Sequence, residues 1–133
     1  MKKDDAKLIE ELREATRGLL FTSESDYPFE VFVWASAEPT RESLRGLAGA
    51  DSRAPVETRS AREFFRAAAS EPDWKGEAEL AAARRFQTLL LLLETSLADL
   101  KVYRVGEVDI AVYVTGRAPS GNFVGVSTRV VET

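Results

Sequence analysis

The chain has 133 residues and contains neither cysteine nor histidine. Without cysteine there is no disulfide framework and no thiolate nucleophile. Without histidine the chain lacks the commonest general base and the commonest transition-metal ligand, which excludes Ser-His-Asp triads and most zinc sites. Only carboxylates, lysine, tyrosine and hydroxyl groups remain for catalysis, so few enzyme mechanisms are open to this protein.

Long apolar segments are also missing from the sequence. The densest apolar run, Leu89–Leu93, is much shorter than the roughly 20 residues that a membrane-spanning helix needs. The N-terminal segment 1–15 is charged and has no apolar signal core. We therefore expect a soluble, cytoplasmic protein that does not bind a membrane.

The charge balance is acidic, with a formal net charge of −4. Proteins that bind nucleic acid through its phosphates are more often basic, so we expect no direct contact with nucleic acid. An acidic surface suits instead a protein partner whose own site is built for phosphate. The chain length and the ordinary share of hydrophobic residues, 44%, predict one domain over residues 1–133, monomeric when free.

Apolar periodicity divides the N-terminal half into helices and short strands. Leu8, Ile9 and Leu12 recur at helical spacing, and Gly18 is placed to end that helix. Residues 29–35 carry apolar side chains on both faces, which favours an interior strand covered on both sides. A short helix after Thr40, with Leu44 and Leu47 inward, an edge strand at 55–58 and a helix capped by Ser60 follow.

The C-terminal half reads as one long helix and an antiparallel meander. The helix is predicted over Glu77–Leu100. Strands at 102–105 and 108–114 flank Gly106-Glu107, which is typical of a two-residue hairpin loop, and a last strand covers 123–131. This order predicts an α+β fold with helices packed on a mostly antiparallel sheet.

The stretch from Gly18 to Trp34 carries the most distinctive polar feature. Apolar residues on both sides frame a polar tip at 22–26, in which Ser23 and Ser25 flank Glu24 and Asp26 follows. The tip is predicted to be a supported loop that keeps the Glu24 carboxylate accessible. The same residues also fit ordinary turn chemistry, in which hydroxyl and carboxylate groups bond to nearby backbone.

Four parts of the chain together resemble the nuclease A inhibitor family: the stretch 18–34, Trp74, the segment 102–108 and the end 125–133. Members of this family block a sugar-non-specific, metal-dependent DNA/RNA nuclease. The resemblance covers nearly the whole chain in the same order and ends on the same residue type. It implies an α–β–α sandwich around the antiparallel sheet and an inhibitor rather than an enzyme.

The resemblance also implies which residues meet the nuclease. Glu24 falls on the family's metal-directed carboxylate, which would mimic a substrate phosphate toward the partner's Mg²⁺. Trp74 matches an interface aromatic, and Thr133 matches the terminal residue, whose carboxylate would be a second anion. Ser23, Ser25, Asp26 and Glu132 are partner-binding candidates around these positions. The metal belongs to the partner, so the chain is expected to bind no metal or cofactor of its own.

Departures from the family pattern leave other functions open. Segment 36–59 matches poorly, and Pro72 stands where the family has a polar side chain that can reach the partner. The chain could therefore be a protein-interaction domain of the same fold with a different partner. An enzyme that uses Glu24 and Asp26 as an acid/base pair is a further alternative, although nothing supplies a nucleophile, a phosphate cradle or a cofactor motif.

Overall fold

A computed structural model of the chain describes residues 5–35, 38–71 and 73–133, so Pro72 lies outside it. The described residues form four helices and seven strands, which confirms the predicted α+β class. In chain order these are α1 (Ala6–Thr16), β1 (Leu20–Thr22), β2 (Asp26–Pro28), β3 (Glu30–Trp34), α2 (Arg41–Ala48), β4 (Val56–Arg59), α3 (Ala61–Ala69), α4 (Glu77–Ser96), β5 (Ala98–Val105), β6 (Asp109–Arg117) and β7 (Phe123–Val131).

Five strands make one antiparallel sheet in the order β3-β7-β6-β5-β4. The strands β1 and β2 form a separate antiparallel hairpin, in which Leu20 pairs with Pro28 and Thr22 pairs with Asp26. The central strands β5, β6 and β7 are consecutive in sequence, so most of the sheet is a simple meander. Of the first three strands, only β3 pairs with the sheet as a strand, at its edge next to β7.

Local sequence explains where the helices begin and end. Gly18, at φ +68°, adopts the left-handed conformation just after α1 and turns the chain into β1. Helix α2 starts with a capping box, since the Thr40 hydroxyl accepts from the Ser43 N–H and the Ser43 hydroxyl accepts from the Thr40 N–H. The Ser60 hydroxyl caps α3 by accepting from the Glu63 N–H.

Helices lie on both faces of the sheet. On one face the larger core joins residues of α1, α3 and α4 to inward side chains of the sheet, including Leu12, Phe65, Leu89, Val112 and Val126. On the other face a smaller cluster packs Leu44 of α2 against Val56, Val105 and Ala111. Among the described residues, no helix is long and apolar enough to cross a membrane.

Several predicted boundaries are wrong. Helix α4 ends at Ser96 and not at Leu100, because Ala98 already pairs with Arg117 of β6. The β5–β6 connection is a three-residue loop, 106–108, and not a two-residue loop. Leu47 points outward and is 55% exposed, since the short α2 buries only one side around Leu44.

The strand predicted at 29–35 is not interior. Residues 30–34 form β3 at the edge of the sheet, and residues 26–28 belong to the separate hairpin. The apolar side chains on the two faces of this segment pack against different neighbours. Phe29 and Val31 pack in the larger core, whereas Phe32 and Trp34 stack on each other at 4.3 Å between ring centroids and meet Tyr113 on the second face.

Candidate functional site

The polar tip of the β1–β2 hairpin is fastened to the end of β7. Ser23 donates its backbone N–H and its hydroxyl to the Ser25 carbonyl, at 3.0 and 3.1 Å, which closes the turn. The Ser23 hydroxyl also accepts the Val131 N–H at 3.0 Å, and the Glu24 N–H donates to the Val131 carbonyl at 3.3 Å. Ser23 therefore acts inside the chain, while Glu24, Ser25 and Asp26 remain exposed.

The Glu24 carboxylate holds the last residue of the chain. Its Oε2 accepts from the Thr133 N–H at 2.6 Å, and its Oε1 accepts from the Thr133 hydroxyl at 2.8 Å. A carboxylate has about four acceptor positions, so two remain for a partner. The structure thus brings together two of the predicted site residues and fixes the orientation of the carboxylate.

Aromatic side chains of α3 and α4 pack against the base of the hairpin. Phe21 of β1 stacks on Phe64 of α3 with ring centroids 4.6 Å apart, and it meets Phe29 and Phe86 edge-on. Such contacts add to the burial of the rings themselves. The tip that carries Glu24 is therefore an extension of the core and confirms the predicted supported loop.

Glu132 contacts a charged residue that the sequence analysis did not single out. The Arg104 guanidinium of β5 donates to Glu132 Oε1 at 2.6 Å and lies 3.8 Å from Glu57 Oε2. The Arg104 side chain is 6% exposed, against 55% for Glu132. A signal for Arg104 was present in the sequence, because it shares a strand face with Val102, and a charge on a buried face requires a partner.

Trp74 lies just before α4 and is 77% exposed. The chain is anchored on both sides of it. Glu71 accepts from the Arg84 guanidinium at 3.1 Å and from the Gln87 amide at 2.9 Å, and the Lys75 ammonium donates to the Ser70 carbonyl at 2.8 Å. The Gln87 hydrogen bond, followed by that of Arg84, lowers the pKa of Glu71 below its usual 4.5. The indole is thus presented to solvent on a braced segment.

The topology places Trp74 toward the same end of the sheet as Glu24. Helix α1 starts at the β6–β7 turn, where Asp5 accepts from Ser120. Helix α4 ends beside the start of β5, and its Arg85 donates to the Ala15 carbonyl at the other end of α1, so α4 runs back along the sheet for about 30 Å. Its first turn therefore lies toward the end where β5 and β7 finish, which is the end that holds Glu24 and Thr133. In the part of the chain that is described, no hydrogen bond or ring contact joins Trp74 to either residue.

The predicted site residues do not line the groove on the second face of the sheet. A groove of about 450 Å³ lies on the second face of the sheet, beside Phe32, Trp34 and Tyr113, and burial raises the pKa of Tyr113. None of the predicted site residues lines it. Among residues 5–35, 38–71 and 73–133, no group of three or more carboxylates is placed to hold a metal ion.

The chain thus presents an acidic tip held by hydrogen bonds and an exposed aromatic side chain, features that are common in proteins that bind other proteins. Residues 6–133 match the family described as "Nuclease A inhibitor-like protein" (NuiA), and the chain belongs to this family. Family membership indicates an inhibitor-type protein and not an enzyme, and it implies a protein partner. A search of curated proteins gave no match.

Proposed function

We propose that the protein inhibits a sugar-non-specific, Mg²⁺-dependent DNA/RNA nuclease by placing the Glu24 carboxylate where the nuclease binds a substrate phosphate. The observation that carries this proposal is the Glu24–Thr133 contact, which holds an exposed carboxylate in one orientation at the tip of a braced hairpin. A group that is already fixed in its bound orientation loses little entropy on binding.

The chemistry of the partner's metal supports a carboxylate in this position. Mg²⁺ prefers hard oxygen ligands and usually accepts one or two carboxylates together with phosphate oxygens and water. Glu24 retains acceptor capacity beyond its two bonds to Thr133. The metal remains a component of the nuclease, and the inhibitor supplies only the anion and the surface that keeps nucleic acid out.

The neighbouring residues have separable roles in this proposal. Asp26 is exposed beside the tip and adds negative potential, which speeds the approach to a cationic site more than it strengthens the complex. Trp74 is a large exposed side chain on an anchored segment, and aromatic residues of this kind often dominate binding energy. Ser25 shapes the turn through its carbonyl. The free protein is proposed to be a monomer with a single domain.

Kinetics with a purified nuclease of this class test the function. The protein should inhibit hydrolysis of DNA and of RNA with the same inhibition constant, because both substrates use the blocked site and the constant describes one nuclease–inhibitor complex. Raising the substrate concentration should relieve the inhibition. Binding to the nuclease without competition against substrate would exclude blockage of the active site, and failure to bind would favour an interaction domain with a different partner.

A further inference from the structure

Arg104 is a buried cation held between two carboxylates, one on β4 and one in the segment after β7. Only 5% of the residue is exposed. Glu57 pairs with it across β4 and β5, and Glu132 reaches it from the segment after β7. Arg104 therefore links the edge strand β4 to the residues that follow β7, on the other side of β6.

The residues around Glu132 connect this cation to the proposed site. The Glu132 N–H donates to the Val108 carbonyl at 2.9 Å, which fixes the backbone of the segment, while its side chain binds Arg104. The next residue, Thr133, donates both of its hydrogen bonds to Glu24. The Arg104–Glu132 hydrogen bond and the two Thr133–Glu24 hydrogen bonds are thus joined by the peptide bond between Glu132 and Thr133.

We infer that Arg104 is a positioning residue for Glu24: through Glu132 it holds Thr133 in place, and Thr133 orients the carboxylate. The inference rests on the proposed function, because it assigns Arg104 a role in the same inhibitory site. Arg104 is too buried to form a large contact with a nuclease itself. Its effect on inhibition is indirect and passes through the geometry of Thr133.

The cost of burying Arg104 supports a positioning role over a stabilising one. Its Nε atom is buried and has no hydrogen-bond partner among the residues that the structure describes, and such an unsatisfied donor disfavours the folded state. Buried ion pairs can often be replaced by apolar residues of similar size without loss of stability. Arg104→Met would leave Glu57 and Glu132 in contact with water, since both side chains are more than half exposed. The fold is therefore expected to survive this substitution.

The free protein gives a test that needs no nuclease. The NMR spectrum of the Glu24→Gln variant gives the reference position of the Thr133 amide resonance in the absence of the charged acceptor. Arg104→Met and Glu132→Gln should each move this resonance most of the way to that position while the rest of the spectrum stays folded. A Thr133 resonance that keeps its parental position in both variants would overturn the inference.

A second ion pair at the same end of the sheet supplies the matched control. Arg129 of β7 contacts Asp109 of β6 at 2.9 Å, and no hydrogen bond or ion pair of the described residues links this pair to Thr133. Arg129→Met removes a guanidinium as Arg104→Met does. It should leave the Thr133 resonance in place, and an equal shift in this variant would show a general effect of charge that contradicts the specific role of Arg104.

Inhibition kinetics then separate positioning from other effects. Arg104→Met should weaken inhibition about tenfold in the parental background, yet add nothing in the Glu24→Gln background, because residues that act through one group are not additive. Equal losses in both backgrounds would overturn the inference. If the parental protein inhibits no nuclease, the proposed function fails, whereas the Thr133 resonance still decides whether Arg104 positions the tip.

Discussion

The Glu24 carboxylate accepts two hydrogen bonds from Thr133, although 109 positions separate the two residues in the chain. The contact joins the tip of an N-terminal hairpin to the end of the last strand of the sheet. Both elements rest on the larger core, through Phe21 on one side and Val130 on the other. The proposed inhibitory carboxylate is therefore oriented by the whole fold and not by its own turn alone.

The hydroxyl of Thr133 gives the first prediction. Thr133→Val removes the donor to Glu24 Oε1 but keeps the backbone N–H that binds Oε2. One hydrogen bond contributes about 1 kcal/mol to holding the carboxylate, so the inhibition constant should rise up to about fivefold, while the melting temperature falls by only about a few degrees. The control is Thr58→Val on the exposed edge strand β4, which should leave inhibition intact. Equal inhibition by the Thr133 and Thr58 variants would contradict the role of this hydroxyl.

Trp74 should contribute to binding and little to folding, because its side chain lies mainly in solvent. Trp74→Ala is expected to weaken inhibition by at least about 2 kcal/mol if the indole is a central contact. Leu91, also on the α4 side of the molecule and 61% exposed, provides a control, and Leu91→Ala should inhibit like the parent. Thermal melting must accompany the kinetics, since a large loss of stability in Trp74→Ala would show that the indole packs on the fold.

The Glu71 carboxylate makes the segment that carries Trp74 sensitive to acid. The pKa of Glu71 is lowered mainly by the Gln87 amide and next by Arg84. These hydrogen bonds therefore stabilise the folded protein above pH 4.5, and this stabilisation is lost as the pH falls through the lower native pKa. An NMR titration should give a midpoint below 4.5 for Glu71, and Gln87→Ala should raise it. A midpoint at the ordinary value in both proteins would show that these hydrogen bonds do not persist in solution.

Gly125 of β7 is predicted to tolerate no side chain. A Cβ at this position would overlap the Val114 carbonyl oxygen and lie 2.9 Å from Thr115 Cα, both in the neighbouring strand. Gly125→Ala should lower the free energy of unfolding by about 1–3 kcal/mol. Gly46 of α2 has open space around it, so Gly46→Ala should be neutral or stabilising by up to about 1 kcal/mol. Equal denaturation midpoints for the two variants would refute the steric argument.

Local signals in the sequence were sufficient for most elements of the fold. The helical spacing of Leu8, Ile9 and Leu12 and the turn at Gly18 depend on neighbours within a few residues. The edge position of β3 was not predictable in this way, because strand order is set by contacts with β7 at the far end of the chain. Apolar side chains on both faces of β3 indicated burial, but not which strands flank it.

The candidate site shows the same division between local and distant information. The exposure of Glu24 followed from the small polar residues around it, whereas its bond to Thr133 depends on the register of the hairpin against β7. The buried ion pair of Arg104 was not predicted, because the sequence contains many arginines and nothing nearby marks its partner. Its position on the inward face of β5, next to Val102, was the available signal that it must be paired.

The charge of Glu24 is the central element of the proposed mechanism. Glu24→Gln preserves the size of the side chain and one carbonyl oxygen but removes the anion that Mg²⁺ and basic groups favour. Truncating a charged contact at the centre of an interface costs on the order of 2–5 kcal/mol, which corresponds to about one to four decades in affinity. Glu24→Asp keeps the charge but is shorter by one methylene, so it should also inhibit poorly.

The most direct measurement is the inhibition constant of Glu24→Gln against a non-specific nuclease with Mg²⁺ present, compared with the parental protein at equal thermal stability. The proposal predicts an inhibition constant at least about tenfold higher for Glu24→Gln, at an unchanged melting temperature. A Glu24→Gln variant that inhibits as well as the parent would contradict the assignment of Glu24 as a phosphate mimic.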